Sequence, residues 1–272
     1  MKMAKSVMNN SAIVAQVPPK LERSQFLALV AHELRNPLLP ILNAAALLRR
    51  RPADAALVQA SAAMITRQAQ VMSRLIDDLL SAAGIQTGQF SLQRCQVSMS
   101  EVIRQCIETV GPFVAESGHR LIVDVSADPM EMEADAARLC QAVQNLIVNA
   151  AKYSDRGAEI SISAARQDGE AVVRISDTGI GIDAGELDSI FGMYSQAGQG
   201  QSARSHGGLG LGLYLARALI EAHGGSLTAT SGGRGHGSEF TLRVPCLAFD
   251  VSAAALAPCR PAIRSFPYLV AA

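Results

Sequence analysis

Between about residues 21 and 83, apolar side chains recur every three or four positions, and this spacing predicts two long helices. The first runs from near Leu21 to Arg49. At about 100° per residue, Leu27, Val30, Leu34, Leu38, Ile41, Ala45 and Leu48 gather on one stripe. The second runs from near Ala53 to Ala83, with Leu57, Met64, Gln68, Val71, Leu75 and Leu79 at heptad-like spacing. Arg50-Arg51-Pro52 makes the turn, Pro52 suits the start of the second helix, and Gly84 and Gly88 end the pair. Two helices with one apolar stripe each cannot close a core alone. A second copy of the pair would close it as a four-helix bundle.

After Gly88 the texture changes to short strands mixed with helices. Ser100 to Glu116 reads as a helix, Arg120 to Ser126 as a strand, and Asp135 to Tyr153 as a helix with Asp135 at its N-cap. The strands around Ile160-Ser-Ile-Ser and Ala171-Val-Val-Arg-Ile pair through a turn at Asp168-Gly169. Leu211 to His223 is a helix stopped by Gly224-Gly225, and Ser226 to Ser231 with Ser238 to Val244 forms a second hairpin. The expected fold class is α+β: a helical hairpin followed by a two-layer α/β sandwich. Residues 1–20 end in Pro18-Pro19 and read as a tail or linker; residues 247–272 carry Pro258, Pro261 and Pro267 without periodicity and read as a disordered tail.

Apolar residues make up 49% of the 272 and charged residues 18%, which places the chain among globular proteins. Acids and bases cancel at 24 each, so the basic excess of a nucleic-acid-binding surface is missing. No apolar run reaches the length of a membrane span, and no apolar segment follows Lys2 and Lys5 as a signal peptide would require. Cys95, Cys106, Cys140, Cys246 and Cys259 are odd in number and contain no CxxC pair, so they read as reduced thiols of a cytoplasmic protein.

His32 lies about 200° from Val30 and Leu34, so it points away from the apolar stripe, with Glu33 beside it and Asn36 one turn on. An exposed imidazole next to a carboxylate is a plausible nucleophile. Two glycine clusters, Asp177-Thr-Gly-Ile-Gly-Ile and Gly207-Gly-Leu-Gly-Leu-Gly-Leu, let backbone amides approach an anion. None of the four lysines follows a glycine, so there is no Walker loop. The strings of Ser/Thr/Tyr kinases are missing, and a polar stretch rather than a strand enters the second cluster, which excludes a Rossmann turn. Asp177-Thr-Gly as an aspartic protease turn would leave His32 and the 135–153 helix unexplained. On that helix Asn145, Asn149 and Lys152 share a face, and two amide oxygens with an ammonium suit a magnesium-bound triphosphate.

The order His-Glu-x-x-Asn-Pro, Asn-x-x-x-Asn-x-x-Lys, Asp-x-Gly-x-Gly, then Gly-x-Gly-x-Gly resembles the sensor histidine kinase family over about Leu21 to Pro245. The resemblance implies a dimerisation and histidine-phosphotransfer domain at 21–88 and an ATP-binding domain of the Bergerat type at 89–246. It implies that His32 accepts phosphate from ATP, that Glu33 takes the ring's proton, and that Asn36 serves in dephosphorylating a response regulator. Pro37 should kink the helix just below. Asn149 matches the Mg²⁺ ligand, Asn145 and Lys152 match phosphate contacts, and Tyr153 lies along the nucleotide. Asp177 matches the acceptor of the adenine amino group, Gly179 and Gly181 the backbone near the base, and Ser238 a hydroxyl that helps fix adenine. Gly208, Gly210 and Gly212 match the loop under the phosphates, and Arg204 is a candidate γ-phosphate contact. The implied partners are a second copy of the chain and a receiver domain on another protein. In Ile190-Phe-Gly-Met-Tyr-Ser-Gln the chain departs from the family, because Gly192 and Tyr194 replace an acid and a phenylalanine. This departure keeps a weakly catalytic ATP-binding scaffold as the alternative. A Bergerat ATPase of the chaperone or topoisomerase kind would have no use for the His32 hairpin.

Overall fold

The structure is a computed structural model that describes residues 20–50, 54–195 and 208–247, with side chains of the first helix described from Leu27 onward. The turn at Arg51-Pro52, Arg204, and residues 1–19 and 248–272 of the two expected tails lie outside the described residues. The chain divides into two compact units. One comprises the residues up to Ile76 with Gln86–Gln89, and the other comprises Asp77–Ile85 with the residues from Phe90 on.

The first unit is built on helices α1 (Lys20–Arg50) and α2 (Ala55–Gln86). Asp54 caps α2, its carboxylate accepting a hydrogen bond from the Leu57 amide at 3.0 Å. Helix α1 runs unbroken through Pro37 and Pro40, although Pro37 leaves the Glu33 carbonyl without its helical donor. Val30, Leu34, Pro37, Ile41, Ala44 and Leu48 are shielded on α1, as are Leu57, Ser61, Met64, Gln68, Val71 and Leu75 on α2. The expected stripe is therefore split. Leu27 and Leu38 stay 65% and 41% exposed, and Leu39 and Leu42 are open beside them. One neighbouring helix covers only part of an apolar face this wide, so the rest needs a further surface.

The second unit contains β1 (Cys95–Ser98), α3 (Met99–Glu116), β2 (Arg120–Val125), β3 (Glu131–Ala134), α4 (Ala136–Lys152), β4 (Glu159–Gln167), β5 (Glu170–Asp177), a 3-10 turn (Ser189–Phe191), α5 (Gly212–Ala222), β6 (Ser226–Thr230) and β7 (Ser238–Pro245). Its main sheet has the order β2-β4-β5-β7-β6. Only β2 and β4 run parallel, and β3 with α4 supplies the crossover such a pair requires. Strands β4 and β5 turn at Asp168 and Gly169, whose φ of 52° and 83° are the left-handed values of a two-residue hairpin. Along β5, Ala171, Val173 and Ile175 enter the core with Met99, Ile103, Leu139, Leu146, Ile147, Leu219 and Phe240 from the helices and β7. Arg174 and Ser176 alternate to the outer face. Helices thus cover one face of the sheet, giving the two-layer sandwich.

Sequence patterning does not reveal the small antiparallel sheet of β1 and β3. Glu-Met-Glu-Ala alternates, but glutamate and alanine are poor strand formers, and only burial of Met132 and Ala134 marks the strand.

Asp135 caps α4 as expected: its carboxylate accepts from the Arg138 amide at 3.2 Å. A buried histidine completes this corner. The Asp135 amide donates to His223 Nε2 at 3.0 Å, and His223 Nδ1 donates to the Leu219 carbonyl at 2.7 Å, so the ring is held in one neutral tautomer. Burial pushes the His223 imidazole below its usual value, and Arg94 adds to this, against the Leu219 carbonyl and Asp135. The stability it contributes is complete above about pH 6.5 and is lost as pH falls through the lower folded value. Melting temperature should therefore drop below about pH 6.5, and His223→Gln, which cannot charge, should flatten that drop. Identical pH profiles for the two proteins would remove His223 from the explanation.

Candidate functional site

In the helical unit, His32 sits on the outer face of α1 with its side chain 65% exposed. Its neighbour Glu33 is buried. The Glu33 carboxylate lies 3.5 Å from His32 Nδ1, and Asn36 Nδ2 lies 3.4 Å from the same atom. Both neighbours therefore address Nδ1, and Nε2 faces away without a partner among the described residues. When Nδ1–H is shared with the carboxylate, the lone pair is on Nε2, which is the tautomer of a nucleophile. When the Asn36 amide donates to Nδ1, the proton sits on Nε2 and the ring cannot attack through that atom. Of the two neighbours, only the Glu33 carboxylate can favour the form with the proton on Nδ1.

In the sandwich unit, α4 brings Asn145, Asn149 and Lys152 onto one stripe. Asn145 Nδ2 donates to the Gly212 carbonyl at 3.2 Å, which ties α4 to the first residue of α5. Asn149 is half-buried, and its side chain has no partner among the described residues. Lys152 Nζ lies 3.3 Å from Tyr153 Oη and 4.8 Å from the centre of that ring. A Cβ placed on Gly208 would come within 3.1 Å of the same ammonium. The Gly210 carbonyl accepts from the Tyr194 amide at 3.1 Å. A lysine ammonium and the start of α5 can hold an anion, and an amide oxygen can hold a cation beside it.

Asp177 closes β5 and is buried at 8% exposure. Its Oδ1 accepts from the Gly179 amide at 2.8 Å, and its Oδ2 accepts from Ser238 Oγ at 2.5 Å. Two donors fix the carboxylate, and its remaining lone pairs can accept from a ligand amine. The segment after Asp177 lies against the loop joining β6 to β7. Gly181 has φ 70°, and a Cβ there would stand 2.0 Å from the Gly233 carbonyl. Gly237 has φ 68°, and a Cβ there would stand 1.9 Å from the Asp177 carbonyl. Both positions require glycine through conformation and through contact. The Gly235 amide donates to Ile180 and the Gly237 amide to Gly179, at 2.7 and 3.1 Å. Ser231 adds a bond from the Ile182 amide at 3.0 Å. The family resemblance points to Ser238 but not to the rest of this loop. The loop's own signal is the run Ser231-Gly-Gly-Arg-Gly-His-Gly, four glycines within seven residues.

The unusual Ile190-Phe-Gly-Met-Tyr stretch seats its aromatic ring firmly. Phe191 is buried edge-on to Phe240 with centroids 6.3 Å apart, and the Arg217 guanidinium lies 5.2 Å above it. Tyr194 adopts φ 65°, a strained value for a bulky residue, beside the Gly210 turn. Arg204 lies outside the described residues.

Residues 134–248 match the family described as histidine kinase-, DNA gyrase B- and HSP90-like ATPase. Residues 22–88 match the His Kinase A (phospho-acceptor) domain. Among curated proteins, the chain is 32% identical over 239 residues to histidine protein kinase DivJ of Caulobacter vibrioides, covering 87% of this chain and 39% of that protein. Among solved structures it is similar to full-length ShkA in complex with AMPPNP, at 28% identity and a TM-score of 0.60, covering 85% of this chain and 47% of that one. The fold also matches histidine kinase ThkA, solved with the response regulator protein TrrA, at 21% identity and a TM-score of 0.56, covering 84% of this chain and 64% of ThkA.

Proposed function

The chain belongs to the sensor histidine kinase family of two-component systems, and from that premise we propose that it autophosphorylates on His32 and passes the phosphoryl group to a response regulator. The observation that carries this reading is the exposed His32 ring, with Nδ1 facing a buried carboxylate and Nε2 open. Nε2 attacks the γ-phosphorus of ATP in line. The N–P bond forms as the bond to the bridging oxygen breaks, ADP leaves, and the Nδ1 proton moves toward Glu33. In the second transfer an aspartate oxygen of the regulator takes the phosphoryl group and the N–P bond breaks.

The ATP-binding domain uses residues whose arrangement fits a magnesium nucleotide. Asp177, held by Gly179 and Ser238, accepts from the adenine amino group. Gly181 keeps its backbone close to the loop behind the base. Lys152 and Asn145 face the phosphates, with Gly208, Gly210 and Gly212 shaping the turn into α5, and Tyr153 lies along the nucleotide. The Asn149 amide oxygen would hold Mg²⁺, which would neutralise charge on the phosphates. We assign dimerisation to residues 21–88. The exposed Leu38, Leu39 and Leu42 support it, because a second hairpin would cover them in a four-helix bundle. Among the described residues no helix is long and apolar enough to cross a membrane.

Incubation with γ-labelled ATP and Mg²⁺ tests the reading. The expected result is acid-labile, base-stable label on the protein. Bound nucleotide without label would instead mean an ATP-binding scaffold, and free phosphate without phosphoprotein an ATPase.

Asn36→Ala should separate two activities. Its amide lies 3.4 Å from His32 Nδ1 but has no useful basicity, so it positions water rather than removing a proton. Autophosphorylation should stay within about threefold, while loss of phosphate from the regulator should slow by about 10- to 100-fold. Timing both reactions with purified phosphorylated regulator checks this, and equal losses would show a general defect in the hairpin.

A further inference from the structure

Two cysteines that take no part in the proposed chemistry face each other across α3 and α4. Cys106 Sγ lies 2.9 Å from Cys140 Sγ and 3.5 Å from the Cys140 carbonyl. Cysteine often serves as a small buried hydrophobe, and Cys106, with no exposed surface, would do so alone. The pairing is more specific than that. The two sulfurs stand only about 0.9 Å beyond the length of an S–S bond. They join positions 34 residues apart on different helices. We propose that Cys106 and Cys140 form an oxidation site, at which a hydroperoxide converts the dithiol into a disulfide tying α3 to α4.

The surroundings assign the order of steps. Cys140 is partly exposed, whereas Cys106 is fully buried, so the oxidant meets Cys140 first. Cys106 S–H and the Gln144 amide, the latter at 3.2 Å, both donate to Cys140 Sγ. These two hydrogen bonds hold the Cys140 thiol below its usual value against the effect of burial, while the bond to Cys140 and burial raise that of Cys106. The thiolate therefore forms on Cys140, the reactive partner. It attacks a peroxide oxygen, the O–O bond breaks, and Cys140 becomes a sulfenic acid, while the departing hydroxide takes up the proton that the Cys140 thiol released and leaves as water. Cys106 sulfur then attacks the Cys140 sulfur. The S–S bond forms, the S–O bond breaks, and the departing hydroxide takes the Cys106 proton. Two thiols and one hydrogen peroxide give one disulfide and two waters. The staple would fix α4, which also carries Asn145 and Asn149, to its neighbour in the core.

Treating the purified full chain with millimolar hydrogen peroxide, then blocking free thiols and mapping peptides by mass, tests the site. The expected product is a Cys106–Cys140 linked peptide lighter by two hydrogens and released by dithiothreitol. Melting temperature should rise by about 7–15 °C on oxidation and return on reduction, because the cross-link restricts the unfolded chain. Cys140→Ser should melt like the reduced protein and lose the peroxide response. Cys106→Ala should leave Cys140 as a sulfenic acid that a dimedone probe captures. Free Cys106 and Cys140 after treatment, sulfinic acid on Cys140 of the unsubstituted chain, or links only to other cysteines would overturn the proposal. The result does not depend on kinase activity.

Discussion

His32→Gln is expected to abolish phosphoprotein formation while leaving ATP affinity within about twofold of the parent protein. Glutamine keeps a polar side chain on the exposed face of α1 but has no ring nitrogen with a free lone pair, so no N–P bond can form. His32 and Asp177 belong to different compact units, so the substitution leaves the residues assigned to nucleotide binding untouched. Labelling with γ-labelled ATP and a separate measurement of nucleotide affinity decide the matter. Label persisting on the variant would place the acceptor elsewhere. A large loss of affinity would mean that His32 belongs to the nucleotide site.

Asp177→Asn has the second large effect. The carboxylate accepts from both the Gly179 amide and Ser238 Oγ. An asparagine presents one oxygen and one NH₂, so its oxygen can keep the Gly179 amide only if Ser238 Oγ turns from donor to acceptor of the new NH₂. The adenine amino group also loses a charged acceptor. A charge-assisted hydrogen bond contributes about 1.5–3 kcal/mol, and ATP affinity should fall by about 10- to 150-fold. GTP carries no amino group at that ring position, so its weaker binding should change little. Ser238→Ala serves as the control, because it removes one fixing bond and keeps the carboxylate. If Asp177→Asn binds ATP and GTP as the parent does, Asp177 does not read the base.

Much of this organisation can be read along the chain. The recurrence of Leu57, Met64, Gln68, Val71 and Leu75 marks the shielded face of α2, because helical periodicity is a local property. Asp168-Gly169 specifies its hairpin through the left-handed backbone those residues tolerate, and Asp135 specifies the start of α4 by capping it. The outward placement of His32 follows from the same periodicity.

Other features arise from contacts between segments distant in sequence, and no local pattern encodes them. Strand β3 exists because β1 pairs with it and the core takes Met132, not because Glu-Met-Glu-Ala favours extended chain. The split of the α1 stripe depends on which part of it α2 covers. Periodicity alone draws no distinction between Leu34, which is shielded, and Leu38, which is exposed. The pairing of Cys106 with Cys140 and the bond from the Asp135 amide to His223, 88 residues on, exist only once α3, α4 and α5 share a core. Local propensity sets where helices and turns occur, whereas burial and long-range hydrogen bonds decide which chemical groups meet.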